Sequence, residues 1–389
     1  MTQEGQYIWQ QPSWPQFRWD HSTLMKPLKL CRFQQGSLLA QLRELGLDVR
    51  LQVQAEILIE EALKTSEIEG ERLDQNAVRY WVAHRLGLPA GGLQKVKNKH
   101  AEGVVEILLD ATLGYEKELN ADRIFGWHAA LFPTGWSGLN KIQVASWRDD
   151  RDGPMCIISG PIGREKIHYE ALPADRLADE MAQYLRWWGK STQEVDGLLR
   201  AAVSHLWFAA VHPFEDGNGR IARTLTEMAL AQDEALTTRY YSLSSQIMAD
   251  RESYYLVLER TNKGDGDITE WILWFLNCVS RAILHSNELL TNVMQKTRFW
   301  QHHTQTELNE RQRKVITRLL DSGRDGFEGG MTDRKYASIA HVSRETALEE
   351  LAGLVAKGVL RMNQGGGRSV SYSLCWENSE PSLKTKTNP

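Results

Sequence analysis

A chain of 389 residues with 42% hydrophobic and 25% charged residues has the make-up of an ordinary soluble globular protein of two or three domains. Its formal charge of −4 gives no basis for wholesale nucleic-acid binding, and its four cysteines, Cys31, Cys156, Cys278 and Cys375, lack the CxxC spacing of a zinc cluster, so a reducing, cytoplasmic setting is expected. The first residues lack a basic, then apolar, leader and no run approaches a membrane span, so no membrane partner is expected.

The stretch 7–19 holds Tyr7, Trp9, Trp14, Phe17 and Trp19 around Pro12 and Pro15. Prolines forbid a regular helix there, and aromatics need a surface to pack on; an extended arm laid on the body is expected, with a peptide-binding element as the rival. Residues 28–64 have helical periodicity in two runs, and the second stops at Gly70. Its last turn, Thr65-Ser-Glu-Ile-Glu-Gly70, puts Glu67 and Glu69 at the negative end of a helix dipole, where a carboxylate is disfavoured unless a cation faces it. A solvated acidic helix end is the plainer reading.

Two more helices fit 77–113, and Asn120 caps another with Ile124, Trp127, Leu131 and Phe132 on its apolar face. A polar loop at 147–154 precedes two short strands at 155–169 around Gly160-Pro-Ile-Gly163. A lone hairpin in a helical protein has unpaired edges; it is either a connection or a docking edge to which a target segment adds a strand, through Ile157, Ile158, Ser159 and Gly160. An amphipathic helix over 173–190 leads to an apolar one over 195–211, which Pro213 bars from simply continuing.

The densest chemistry follows: His212-Pro-Phe-Glu-Asp-Gly-Asn-Gly-Arg220, then Arg223. Asp216-Gly-Asn-Gly219 is a tight turn feeding a helix N-terminus, and free N–H groups there make an anion cradle, here suited to phosphate. Arg220 and Arg223, three apart, can both fork onto phosphate oxygens. Asp216 offers the hard oxygen that Mg²⁺ takes when phosphates complete its shell, and His212 can accept a proton near neutrality.

This window resembles the Fic family motif, His-Pro-Phe-x-Asp/Glu-Gly-Asn-Gly/Lys-Arg-x-x-Arg, and matches every specified position. The resemblance implies a mainly α enzyme with a helical core and a β-hairpin flap, which moves AMP from ATP to a Ser, Thr or Tyr hydroxyl of a protein. His212 would be the base, Asp216 the Mg²⁺ ligand, Phe214 a core anchor, and Gly217, Asn218, Gly219, Arg220 and Arg223 the ATP-phosphate ligands. Thr65-x-x-x-Glu69-Gly70 resembles the family's inhibitory motif, whose glutamate pairs with the second arginine, here Arg223. The enzyme would then rest in an off state, and Glu69 would make removal of AMP a second activity. Tyr255 and Asn262, seven apart and so on one helix face, match the family's adenine-pocket pair, with an aromatic core stripe as the rival. Family members also use a flap at the hairpin's place to dock targets.

An apolar helix from 267 runs to about 290 and a polar helical segment to 303. The order of elements over 304–377 resembles a winged helix, with 343–357 as its would-be recognition helix. That helix carries Glu345, Glu349 and Glu350 beside Arg344 and Lys357, a poor surface for phosphate, so DNA contact is the lesser expectation and a protein-docking or packing module the greater. The expected division is 1–110 with the inhibitory motif, 111–303 as catalytic core, 304–377 as the winged-helix-like domain, and a disordered tail at 378–389. Self-modification and a homodimer fit the reading, and a nucleotide-sensing DNA-binding regulator is the alternative.

Overall fold

The computed structural model describes residues 7–89, 98–151, 153–159, 164, 166–322, 327, 329–363 and 370–376. The chain divides into two compact units, Met1–Glu288 and Leu289–Pro389.

The first unit contains α1 (His21–Arg43), α2 (Leu47–Ile68), α3 (Gln75–Leu86), α4 (Lys99–Leu113) and α5 (Ala121–Leu131). Two short antiparallel hairpins follow, β1 (Trp136–Ser137) with β2 (Asn140–Lys141) and β3 (Cys156–Ser159) with β4 (Lys166–Glu170). Then come α6 (Leu177–Glu194), α7 (Gly197–Val211), α8 (Asn218–Glu234), α9 (Leu243–Ala249), α10 (Arg251–Asn262) and the first part of α11 (Thr269–His302). The α7–α8 pair is the axis of the unit. Both helices are buried nearly all round; α7 is largely apolar, and the polar residues of α8, Arg220, Arg223 and Glu227 among them, are buried with it. Helices α2, α4 and α5 pack on α8, and α6 packs on α7.

Several polar groups inside this core find partners. Arg200 Nε donates to Ser191 Oγ at 2.8 Å and its Nη1 to Gln232 Oε1 at 2.7 Å, and the Tyr184 hydroxyl meets Ser204 Oγ at 2.7 Å. His205 sits between Thr226 Oγ1 at 3.0 Å and the Tyr254 hydroxyl at 2.8 Å, and burial pushes its pKa down to about 3. Folded His205 therefore stays neutral where an unfolded histidine would charge. Stability from this group is complete above pH 6.5 and is lost as the pH falls, on the order of 3 kcal/mol by pH 4. Melting temperatures between pH 7 and 4 should fall less steeply for His205→Gln than for the native chain.

The N-terminal arm behaves as its composition suggests. After one 3-10 turn at Ile8–Gln10, Trp9 Nε1 donates to Glu170 O at the end of β4 (2.9 Å), and Trp14 Nε1 to Glu180 Oε2 (3.0 Å). Trp14 and Phe17 meet Trp207 of α7 edge-on at 6.2 and 5.7 Å, so the arm ties the base of the β3–β4 hairpin to the core.

Two boundaries differ from the sequence reading. Helix α1 begins at His21, ahead of Pro27, because Asp20 caps it through Ser22 N–H and because Leu24 and Cys31 are buried on either side of the proline. The unit boundary lies inside α11 after Glu288, ahead of 304: Phe299 belongs to the second core, with Trp300 packed against it, and helical periodicity alone cannot show which core a long helix serves. Residues 1–110 are likewise not separate, since α2 packs on α8 and α9.

The second unit holds α12 (Glu310–Asp321), α13 (Asp333–Ala340), α14 (Arg344–Ala356) and the hairpin β5 (Leu360–Met362) with β6 (Tyr372–Leu374). Met331 bridges to Tyr372 on the outer side of β6. Val315, Ile316, Leu319, Tyr336, Leu351 and Leu360 form its core, and buried Glu350 accepts from the Tyr336 hydroxyl, Asn309 and Arg311. Arg344, at the start of α14, is engaged by Asp333. Residues 378–389 lie outside the described residues.

Candidate active site

Helix α7 stops at His212 because a residue before proline is kept out of the right-handed helical region, and His212 takes the left-handed conformation (φ 50°, ψ 58°). His212 Nδ1 lies 3.3 Å from Ala209 O, an arrangement in which Nδ1–H donates and Nε2 carries the lone pair. Burial lowers its pKa to about 4, so the imidazole is neutral at pH 7 and can take a proton. Arg148, which the sequence reading passed over in a polar loop, braces this residue from behind. Its Nε donates to His212 O at 2.8 Å, its Nη1 meets Asp150 at 2.6 Å, and its backbone N–H reaches Pro213 O at 2.9 Å. Nothing in the spacing of 147–154 distinguishes Arg148 from Arg151.

The turn after His212 is fixed from inside. Phe214 is fully buried and stacks on His128 with ring centres 4.1 Å apart. His128, itself unforeseen, has Nε2 3.1 Å from Asp216 O and accepts the Ala145 N–H at Nδ1. Asn218 Oδ1 accepts from Phe214 N–H at 2.9 Å and its Nδ2 donates to Phe214 O at 2.7 Å. Both polar groups of the Asn218 side chain close the loop, and as first residue of α8 it also offers its backbone N–H at the helix start. Gly217 has φ +84°, and a Cβ there would stand 2.8 Å from Phe132.

Asp216 is partly exposed. Its Oδ2 accepts from Ser137 Oγ, and its Oδ1 from Gly217 N–H at 2.5 Å. Among the described residues no cluster of three or more His, Cys, Asp or Glu could cage a metal. One solvent-reaching carboxylate beside an anion cradle fits Mg²⁺, which keeps waters and shares its shell with phosphates.

Both arginines are buried, and both are occupied by the chain between α2 and α3. Arg223 Nη2 pairs with Glu69 Oε1 at 2.7 Å, while its Nε donates to Thr65 Oγ1 at 2.7 Å and Nη2 also to Thr65 O at 2.8 Å. Arg220 Nη1 pairs with Glu71 Oε2 at 2.7 Å, and its guanidinium lies over the Phe132 ring. The Glu69 carboxylate presses on the cradle itself: a Cβ at Gly219 would fall 2.1 Å from Glu69 Oε1. Arg223 Nη1, beside Gly219, is buried without a hydrogen-bond partner.

The remaining expected residues are spread around this centre. The Tyr255 hydroxyl donates to Ile68 O at 3.2 Å, as does Arg251 Nε at 3.1 Å, so α10 holds the end of α2. Asn262 is buried at the far end of α10, and its Oδ1 has no partner. On the hairpin, Ile157 and Ile158 are exposed and flank a bulge, and Ser159 pairs with Lys166. Gly160 lies outside the described residues. His168 of β4 meets Glu259 of α10 at 2.9 Å.

Residues 7–88 match a family described only as a domain of unknown function (DUF4172), and residues 118–230, which contain the whole 212–223 cluster, match the Fic/DOC family. The likeness to the Fic/DOC family thus covers this stretch of the chain. It is 26% identical over 121 residues to a probable protein adenylyltransferase of Aquifex aeolicus, a match covering 28% of this chain and 38% of that one. To a uridine 5'-monophosphate transferase of Xanthomonas campestris it is 32% identical over 113 residues, 24% of this chain and 19% of the other. The chain thus spans well under two thirds of these curated relatives. The crystal structure of a Fic family protein from Desulfovibrio desulfuricans superposes with a TM-score of 0.53 at 18% identity, over 91% of this chain and 96% of the other, which supports a common fold. The Fic/DOC match begins after α2, so Glu69 and Glu71 lie in the other matched segment.

Proposed function

We propose that the chain is a protein adenylyltransferase that takes AMP from ATP and rests in a blocked state. The observation that carries the reading is the convergence, at one helix–turn–helix junction, of a neutral His212, a cradle of amide groups at 217–219 and two guanidiniums held by foreign carboxylates. A triphosphate laid in the cradle would place its α-phosphorus near His212 and its far phosphates on Arg220 and Arg223. His212 Nε2 takes the proton of the acceptor hydroxyl while the hydroxyl oxygen bonds to the α-phosphorus, and the bond to the bridging oxygen breaks to release pyrophosphate. Asp216 would hold a Mg²⁺ ion, which neutralises phosphate charge. Arg148 keeps His212 in place from outside the site.

With Glu69 on Arg223, ATP meets the cradle with its second guanidinium spent, and Glu69 Oε1 stands where an anion would lie. In that position the carboxylate would instead orient a water against the phosphorus of an AMP-modified side chain; the bond to the side-chain oxygen breaks, that oxygen takes the proton, and AMP leaves, which gives hydrolytic removal of AMP as a second activity. The exposed, bulged edge of β3 would hold the target's backbone by strand addition, near the base and without reading its sequence. Incubation of the Glu69→Gly variant with ATP, UTP or CTP, followed by intact-protein mass spectrometry, tests the donor. The expected result is an AMP increment from ATP; an increment of UMP or of phosphate alone would reject the adenylyl assignment.

A further inference from the structure

We propose that Glu71 is a second guard of this site, acting on Arg220 as Glu69 acts on Arg223. The tripeptide Glu69-Gly70-Glu71 would then withdraw both phosphate-binding guanidiniums at once. The proposal rests on the reading of 212–223 as a triphosphate site.

The geometry comes from how α2 ends. Gly70 takes φ +83°, its N–H bonds to Glu67 O at 2.9 Å, and the Glu71 N–H returns to Ser66 O at 3.0 Å. These are the two bonds of a Schellman turn, in which a left-handed glycine reverses the chain directly after the helix. The turn puts the side chains on either side of Gly70 against the same neighbour, the first turn of α8. Arg220 and Arg223 are three residues apart there, so they lie on one face. Glu69 meets Arg223 and Glu71 meets Arg220, each at 2.7 Å.

The Glu71 pair is more than a chance surface contact, because Arg220 is only 5% exposed and its Nε is buried without a partner. A buried guanidinium needs an anion close by. Arg220 has two: Glu71 at 2.7 Å and Asp216 Oδ1 at 3.7 Å. Once Asp216 is engaged by a cation, the choice left to Arg220 is between Glu71 and a phosphate oxygen. Glu71 is 36% exposed, with His100 Nδ1 3.9 Å from its other oxygen, so it can leave Arg220 without being stranded. Two carboxylates on two arginines make two locks on one site.

The test measures affinity by calorimetry for Mg·ATP, Mg·ADP and AMP in the full chain, the Glu71→Gln and Glu69→Gly variants and the double variant, with melting temperature as the check on folding. Glu71→Gln should tighten Mg·ATP and Mg·ADP by roughly three- to tenfold, in the native and in the Glu69→Gly background alike. AMP, with no phosphate to reach Arg220, should change less than about twofold. A Glu71→Gln variant that changes neither polyphosphate, or tightens AMP equally, overturns the second guard while Glu69→Gly still binds ATP. If no variant binds any nucleotide, the triphosphate reading falls and this proposal with it.

Discussion

Replacing Glu69 by glycine is expected to raise self-modification by α-labelled ATP about 10- to 100-fold. The Glu69–Arg223 contact joins two ionised groups at 2.7 Å, and hydrogen bonds to charged groups contribute about 1.5–3 kcal/mol, roughly one to two powers of ten in an equilibrium. The same substitution removes the carboxylate that stands against Gly219, so the cradle opens as the guanidinium is released. There is a cost. Arg223, 1% exposed, would keep only Thr65 as partner, and an uncompensated buried charge destabilises by about 3–5 kcal/mol. The variant should therefore melt well below the native chain without nucleotide, and Mg·ATP should recover much of the loss. A rise in activity with no thermal penalty and no rescue would mean that Arg223 is not the group being freed.

The second large effect is expected at the base. Placing His212→Ala in the Glu69→Gly background should lower AMP transfer by about 10²- to 10⁴-fold, the usual contribution of a positioned general base, while Mg·ATP binding stays within a few-fold. Retained binding is the informative half. The His212 backbone is held by Phe208 O and by Arg148, and only the ring contact with Ala209 O goes with the imidazole, so the loop should keep its shape without it. With its pKa lowered to about 4 by burial, the base is already neutral across the working range, and the rate limb assigned to it should fall only below about pH 5. A limb near 6.5 would mean that His212 is solvated in the working enzyme.

Much of this site was legible because it is local in sequence. His212, Asp216, Gly217, Gly219, Arg220 and Arg223 lie within one turn and one helix start, where spacing alone dictates which groups converge. Glu69 was readable through its motif, and the contact with Arg223 is in place. What the sequence hid are contacts across long separations. Glu71 looks like one more charge after a helix, until the Schellman turn at Gly70 aims it at a residue 149 positions away. Arg148 and His128 sit in stretches whose composition suggests loop and core, and only the folded chain brings them behind His212 and Phe214. The two hydrogen bonds of the Asn218 side chain to Phe214, which shape the loop, were likewise not legible in the motif. The fold was legible element by element; that Phe299 packs in the core of the second unit was not, because helical periodicity does not show which residues a face meets.

The central claim is that a carboxylate from the end of α2 occupies the place of a triphosphate's outer oxygens. Calorimetric titration of Mg·ATP into the Glu69→Gly/His212→Ala double variant, which can bind but not turn over, tests it most directly. Saturable uptake of one equivalent, at least tenfold tighter than in His212→Ala alone, is the predicted result. Equal affinity in the two proteins, or no uptake in either, would contradict it.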